Sequence, residues 1–299
     1  RGLVFQHDTN GFFVPQSGAL QLSNAVDTRV ENCSFVSNNN KGLQIDGPET
    51  RAILLKNLKI NDNGCLGMLM SRASSVLMED CETSYNNWRG AWAGYYRGSP
   101  CGMKIMRSQD VTIKGHIALR NRATGVWIDE DNRDVTISGA AILGNYRGLH
   151  IEAGPGPVTV SSCTISDNLR EPIVNEWQWK FGSGIAITHA QNVTIERCVL
   201  SGNDTAQIGI RDDRETRHLK DGFTKTESDE FTASIRWIDN TIAADNYGAL
   251  VRVPDASYDD GRFWKSFEAN GNRYLSPHGS GSFIVTQSSA TAARQPSKW

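Results

Sequence analysis

At 299 residues the chain can bury a large core, as one domain or two. Its formal charge is −2, from 31 basic and 33 acidic residues, which gives no general attraction to nucleic acid or to an anionic membrane. No basic run or apolar segment of membrane-spanning length is present. Six cysteines in a chain this long do not make a disulfide scaffold.

Arg1 to Asp8 lack the charged start and apolar stretch of a signal peptide, so the sequence reads as a mature chain or an excised part of one. Repeat-like sequence is recognisable from Gly18-Ala-Leu-Gln-Leu22 onward. A strand, a polar step and an asparagine then recur along nearly the whole chain, as in Val30 to Phe35, Ile113 to Ala118 and Ile195 to Leu200. The asparagines are Asn38, Asn63, Asn86, Asn121, Asn145, Asn168 and Asn203, with Asn246 one step out of phase. Their spacings are 25, 23, 35, 24, 23, 35 and 43 residues. A unit of 23 to 25 residues is too short for a strand and a crossover helix, and it fits one coil of a parallel β-solenoid.

Each coil is expected to carry one strand before the asparagine's segment and another after it, opened by Gly42, Gly67, Gly90, Gly125 or Gly148. Stacked coils lie roughly 4.8 Å apart, so like residues pile on like, and an asparagine column satisfies the backbone groups of the bend. Cys33, Cys81, Cys163 and Cys198 share one column with Leu58, His116 and Ala140, which reads as interior and thiol-filled. Cys65 and Cys101 fall outside it.

Strand alternation puts Val126, Ile128, Leu149 and Ile151 in the core, and Trp127, Asp129, His150 and Glu152 on an outer wall. With the preceding coil, one outward column reads Lys104, Trp127, His150, Ala186, Gly209 and the next Met106, Asp129, Glu152, Thr188, Arg211. No arginine lies in the centre of this grid; Arg107 and Arg211 sit near its edges. Three long coils place extra residues beside the same wall, around Ala91 to Cys101, Arg170 to Phe181 and Asp212 to Glu230. The first two carry Trp92, Tyr95, Trp177 and Trp179, flat faces on which sugar rings stack. His189 is expected in a solvent-facing turn, and the Asp212 to Glu215 run in a solvated loop. The tail from Ser276 loses the pattern and is expected to finish or cover the last coil.

On these residues the chain resembles the right-handed parallel β-helix proteins, the superfold of pectate lyases, polygalacturonases and other carbohydrate-active enzymes. The coil repeat and asparagine column carry the resemblance over about residues 18 to 250. It implies an all-β fold, a single-stranded right-handed parallel β-helix of about 8 to 10 coils with aromatic-rich insertions along one wall. A single domain would span 1 to 299, with 251 to 299 as final coil and cap.

Val126-Trp127-Ile128-Asp129 looks like the start of a pectate lyase signature, but Glu130 stands where that signature has histidine, and its arginine motif is absent. The chain is closer to a group of bacterial β-helix repeat proteins with a Gly-x-Lys strand, a Trp-x-Asp-x-Asp-Asn segment and a glutamate one coil on. Here these are Gly102-Met103-Lys104, Trp127 to Asn132 including Asp131, and Glu152. That resemblance implies carbohydrate processing, and with it a secreted, extracellular or periplasmic monomer.

Two carboxylates on neighbouring coils repel, which separates their pKa values into an acid and a base, the division glycosidases use. The leading expectation is therefore a glycoside hydrolase cleaving a polysaccharide or oligosaccharide with Asp129 and Glu152. Lys104 tunes Asp129 or binds substrate, while Trp127, His150, Asp131, Asn132, Arg211 and the loop aromatics hold sugar. Carboxyl groups about 5 to 5.5 Å apart suit a retaining mechanism.

A polysaccharide lyase or uronate epimerase is the alternative, with Lys104 or His150 as base and Asp129, Glu130 and Asp131 around a Ca²⁺ ion. The hydrolase itself needs no cofactor. A non-catalytic glycan-binding solenoid is the third reading, because stacked outward polar residues occur on any β-helix wall.

Overall fold

The computed structural model describes residues 2–9, 18–90, 100–169, 182–211, 215–220, 225–244, 249–254, 262–276, 283–287 and 290–293. Trp92, Tyr95, Trp177 and Trp179 lie outside these, as do Asp212 to Arg214 and Asn246. The chain winds through three parallel sheets. The wall sheet stacks Gly18–Ser23, Lys41–Asp46, Leu66–Ser71, Cys101–Met106, Thr124–Asp129, Arg147–Gly154, Ser183–Glu196, Ala206–Arg211, Ala249–Pro254 and Phe283–Gln287. These ten strands match the expected number of coils.

A second sheet runs from Val26–Glu31 to Glu268–Asn270. The third is built of three-residue strands such as Ile117–Leu119 and Ala141–Leu143, and bridges at Glu82 join its two parts. The third sheet has no counterpart in the sequence pattern: a three-residue strand is too short to show alternation, and its residues fall within the repeat's polar step. The segment Ser183–Glu196 passes through both longer sheets without a break.

The alternation supplies the core. Val111, Val135, Val158 and Val193 stack in one inward column, and Ile113, Ile137, Val160 and Ile195 in the next, all buried. β-Branched side chains are stiff at χ1 and pack well on a pleated surface, which is why they fill these columns.

The asparagine column forms as expected. The side chain of Asn38 donates to Asn63, Asn63 to Asn86, Asn86 to Asn121, Asn121 to Asn145, Asn145 to Asn168 and Asn168 to Asn203, through Nδ2 to Oδ1 at 2.7 to 3.2 Å. Each Oδ1 also accepts the backbone N–H of the asparagine one coil back, as Asn145 does from Asn121 at 2.9 Å. Gln207 ends the run by accepting from Asn203.

The thiol column is interior too: Cys33, Cys81, Cys163 and Cys198 are buried and free, with His116 among them bonded to Thr83 Oγ1 at 2.9 Å. Burial lowers the His116 pKa to about 4.

At the C-terminal end, Phe283–Gln287 continues the wall sheet and Ala290–Ala293 pairs with it antiparallel. A five-residue helix, Arg262–Ser266, also departs from the repeat pattern; Phe263 within it is buried, and its ring lies 5.4 Å from that of Phe267. The described ends of the first two insertions, Gly90 to Pro100 and Leu169 to Gly182, enter the wall strands at their starts. The third insertion leaves at Arg211, at a strand end, and contains the antiparallel pair Glu215–Lys220 and Lys225–Glu230.

Candidate active site

The wall's register brings the expected residues together. Lys104 pairs with Trp127, Trp127 with His150, His150 with Ala186 and Ala186 with Gly209. In the adjoining column Met106 pairs with Asp129, Glu152 with Thr188 and Thr188 with Arg211. Lys104 Nζ lies 2.7 Å from Asp129 Oδ2 and 4.0 Å from the centre of the Trp127 ring. The other oxygen of Asp129 accepts the N–H of Glu130 at 2.9 Å. The Trp127 and His150 rings lie 5.2 Å apart. His150 Nε2 is 3.0 Å from Thr188 Oγ1 and its Nδ1 is 3.5 Å from Glu152 Oε2.

The indole Nε1 of Trp127 is buried and finds no hydrogen-bond partner among the described residues. A buried N–H left unbonded is rare in proteins and marks a position where an acceptor is missing.

Two expectations are corrected by this geometry. The first concerns exposure. The acids do share the outward face, yet that face is not open to solvent: Asp129 is 5% exposed, Glu152 9%, Lys104 8% and His150 0%. Which face a side chain takes follows from strand parity; whether that face is covered depends on residues far away in sequence.

The second concerns arginine. Arg147 belongs to the centre of the grid. Its guanidinium lies 5.0 Å from the Trp127 ring and donates through Nε to Thr124 Oγ1 at 2.9 Å. Strict alternation from Leu149 would turn Arg147 inward, but Gly148 breaks the phase. The glycines at this bend face the asparagine column, and a Cβ on Gly125 would stand 2.8 Å from Asn145 Nδ2. The residue before each glycine therefore points outward, giving a third wall column of Lys41, Leu66, Cys101, Thr124 and Arg147. Cys65 and Cys101, unplaced from sequence, pack there with Leu66 and Leu69, apart from the main core. The glycine after each of these residues was the signal that locates Arg147.

The electrostatics follow from burial. Loss of solvation pushes the Asp129 carboxyl above its ordinary range, the Lys104 ammonium pulls it back, and Glu152 pushes it up again. Burial lowers Arg147 to about 10, against the pull of Glu152 and Asp129.

The acidic run does not converge. Asp129 faces Lys104, Glu130 bonds Arg107 at 2.5 Å, and Asn132 donates to the carbonyl oxygens of Ile105 and Asp129. Glu130 and Asp131 lie at φ 34° and 53°, where the chain turns after the wall strand Thr124–Asp129. Among the described residues no group of three or more His, Cys, Asp or Glu converges as metal ligands.

His189 is buried rather than solvent-facing: at φ 52° its N–H reaches Thr232 Oγ1, 43 residues on, where the third insertion returns. Arg211 is half-buried at the end of its strand, two strands along the column from Glu152.

The family model for the right-handed β-helix region matches residues 17–178, more than half of the chain. The chain belongs to the right-handed β-helix family. No curated sequence matches this β-helix. Among solved structures it is similar to XylC in complex with xylose, at 13% identity and TM-score 0.61, over 94% of this chain and 50% of that one. It is also similar to the mannuronan C-5 epimerase AlgE4 A-module of Azotobacter vinelandii, at 14% identity and TM-score 0.60, over 88% of this chain and 62% of that one. A single-site mutant of the periplasmic alginate epimerase AlgG follows at 13% identity and TM-score 0.56, over 82% and 50%. The β-helix thus spans half to just under two thirds of these chains, and at such identities the likeness shows the fold.

Proposed function

We propose that this β-helix is a carbohydrate-active enzyme, a glycoside hydrolase that cleaves a polysaccharide or oligosaccharide with Asp129 and Glu152. The observation that carries the reading is a pair of buried carboxyl groups on neighbouring coils, Asp129 against the Lys104 ammonium and Glu152 beside the His150 ring, next to an indole N–H that finds no acceptor among the described residues. Burying such groups costs free energy that ordinary packing would avoid, and sites with this cost are where chemistry is done. Neighbours named for sugar ligands or sugar polymers are in keeping with it.

The roles divide by bonding. Both oxygens of Asp129 accept hydrogen bonds, from Lys104 and from Glu130 N–H, contacts that favour its ionised form against burial, and in this proposal it serves as the nucleophile at C1. Lys104 opposes the upward push of burial on this carboxyl, which remains the larger effect. Glu152, beside His150, carries the proton that the leaving oxygen takes and later deprotonates water. Trp127 offers Nε1–H to a sugar hydroxyl and His150 lines the same column. Asp131 and Asn132 follow the nucleophile on the turn; Arg211 and the aromatics of the two insertions complete the substrate contacts in this proposal. Hydrolysis by this route uses no metal. A monomer in the periplasm or outside the cell goes with such a substrate.

Arg147 favours one second reading, a lyase or epimerase acting on a uronic acid polymer, because it supplies the cation next to Lys104 and His150 that such chemistry needs. Charge balance weighs against it. Lys104 is already matched by Asp129 at 2.7 Å, so a substrate carboxylate would have to compete with that partner for it.

Turnover by D129N and E152Q on neutral and uronate oligosaccharides tests both readings. Reducing sugar released by the wild type and lost in both variants supports hydrolysis. Products absorbing in the ultraviolet would establish the lyase instead, and full activity in both variants would remove the pair from the chemistry.

A further inference from the structure

We infer that Cys163 and Cys198 are a cross-linking site, joined by a disulfide that staples two neighbouring coils. The inference stands apart from the hydrolase reading and rests on none of the wall residues.

The thiol column runs Cys33, Leu58, Cys81, His116, Ala140, Cys163, Cys198 and Asn240, one residue to a coil. Only Cys163 and Cys198 are successive thiols in it. Strand register holds them level on both sides of the bend, with Ser161 against Glu196 before it and Thr164 against Val199 after it. Coils lie about 4.8 Å apart, inside the roughly 4.4 to 6.8 Å that a disulfide spans between Cα atoms. The residue before each cysteine takes the same turn, Ser162 at φ 53° and Arg197 at φ 52°, so the two Cα–Cβ bonds run side by side.

The sulfurs meet as well. Cys198 Sγ leans back one coil, where it accepts the N–H of Cys163 at 3.4 Å and lies 3.6 Å from the carbonyl oxygen of Val160. The two thiols also hydrogen-bond each other, which pulls Cys163 below the ordinary thiol pKa and pushes Cys198 above it.

Exchange with a low-molecular-weight disulfide makes the bond in two steps. One cysteine thiolate attacks the small disulfide, forming a mixed disulfide and releasing a small thiolate; the other cysteine then displaces the second. One S–S bond breaks and one forms, and the two cysteine protons end on the two small thiols. Both sulfurs are buried in the folded chain, so the exchange takes place while these coils dock. The link joins residues 35 apart and encloses the wall strand that carries Thr188, the partner of His150.

The experiment reduces and unfolds the full chain in guanidinium, then refolds it either in mixed reduced and oxidised glutathione or in excess dithiothreitol. Oxidative refolding should give a chain about 2 Da lighter, with one linked peptide pair containing Cys163 and Cys198 after alkylation and digestion without reduction. The other cysteines should all be alkylated. Its unfolding midpoint in guanidinium should lie above that of the reduced chain, because the link restricts the unfolded state. Alkylation of all six cysteines, a link through any other pair, or an oxidised chain that unfolds no later than the reduced one would overturn the staple.

Discussion

The three sheets of this solenoid share one backbone repeat and differ in what their outward faces carry. On the second sheet Thr112, Thr136, Thr159 and Thr194 stack as a half-exposed threonine ladder, and on the third Ile117 and Val199 point into solvent. On the wall the equivalent face holds Lys104, Arg147, His150, Asp129 and Glu152, all buried. A threonine ladder satisfies strand propensity at little cost. A buried set of opposite charges gains little net stability over apolar packing, so its presence on one face of three is a sign of use rather than of folding.

The comparison yields tests in descending order of effect. Replacing either acid by its amide removes the proposed nucleophile or the proposed proton carrier, and turnover is expected to fall about 10²- to 10⁴-fold, with circular dichroism unchanged. Stability separates the faces next. D129A leaves Lys104 buried without its carboxylate, and chemical denaturation should show a loss of roughly 3 kcal/mol, largely recovered in the double variant D129A/K104M. Thr136→Val on the open ladder should stay within about 0.5 kcal/mol of wild type.

The asparagine column offers a control that is structural alone. N145A strips acceptors from Asn121 N–H and Nδ2 and a donor from Ala118 C=O. It should cost several kcal/mol, at about 1 to 3 kcal/mol for each buried group left unbonded, with no special effect on activity in the folded fraction.

Two pH experiments sharpen the picture. In K104M the ammonium that lowers the Asp129 pKa is gone, so the carboxyl protonates at higher pH and the acid limb of the rate profile moves upward. For His116, the folded pKa of about 4 lies below the ordinary 6.5, so folding favours the neutral ring. Its stabilising effect is full above pH 6.5 and is lost as pH falls through 4, on the order of 3 kcal/mol in all. H116Q should flatten denaturation midpoints across that window. W127F, which deletes the unbonded indole N–H, is expected to lower kcat/KM about tenfold, the smallest catalytic effect.

Much of the fold was legible because the repeat has period and the asparagines have phase: every bond from Asn38 to Asn203 follows from spacing. The facing columns of Lys104, Trp127 and His150 were legible for the same reason, since parity in a strand is strict. Arg147 was not, because the glycine after it turns toward the asparagine column and resets the alternation. The burial of Asp129 and Glu152 was not legible either: covering a face is a long-range event, like the return of Thr232 onto His189. The three-residue strands and the helix at Arg262–Ser266 fall below the length at which periodicity speaks.

The central claim is that Asp129 attacks the sugar. A 2-deoxy-2-fluoro glycoside of the accepted sugar, carrying a good leaving group, should trap the covalent intermediate. Peptide mass mapping after acid quench should then place one added glycosyl group on the segment containing Asp129, and D129N should take up none. An adduct on any other residue, or catalytic turnover of the natural substrate by D129N at the wild-type rate, would contradict the account.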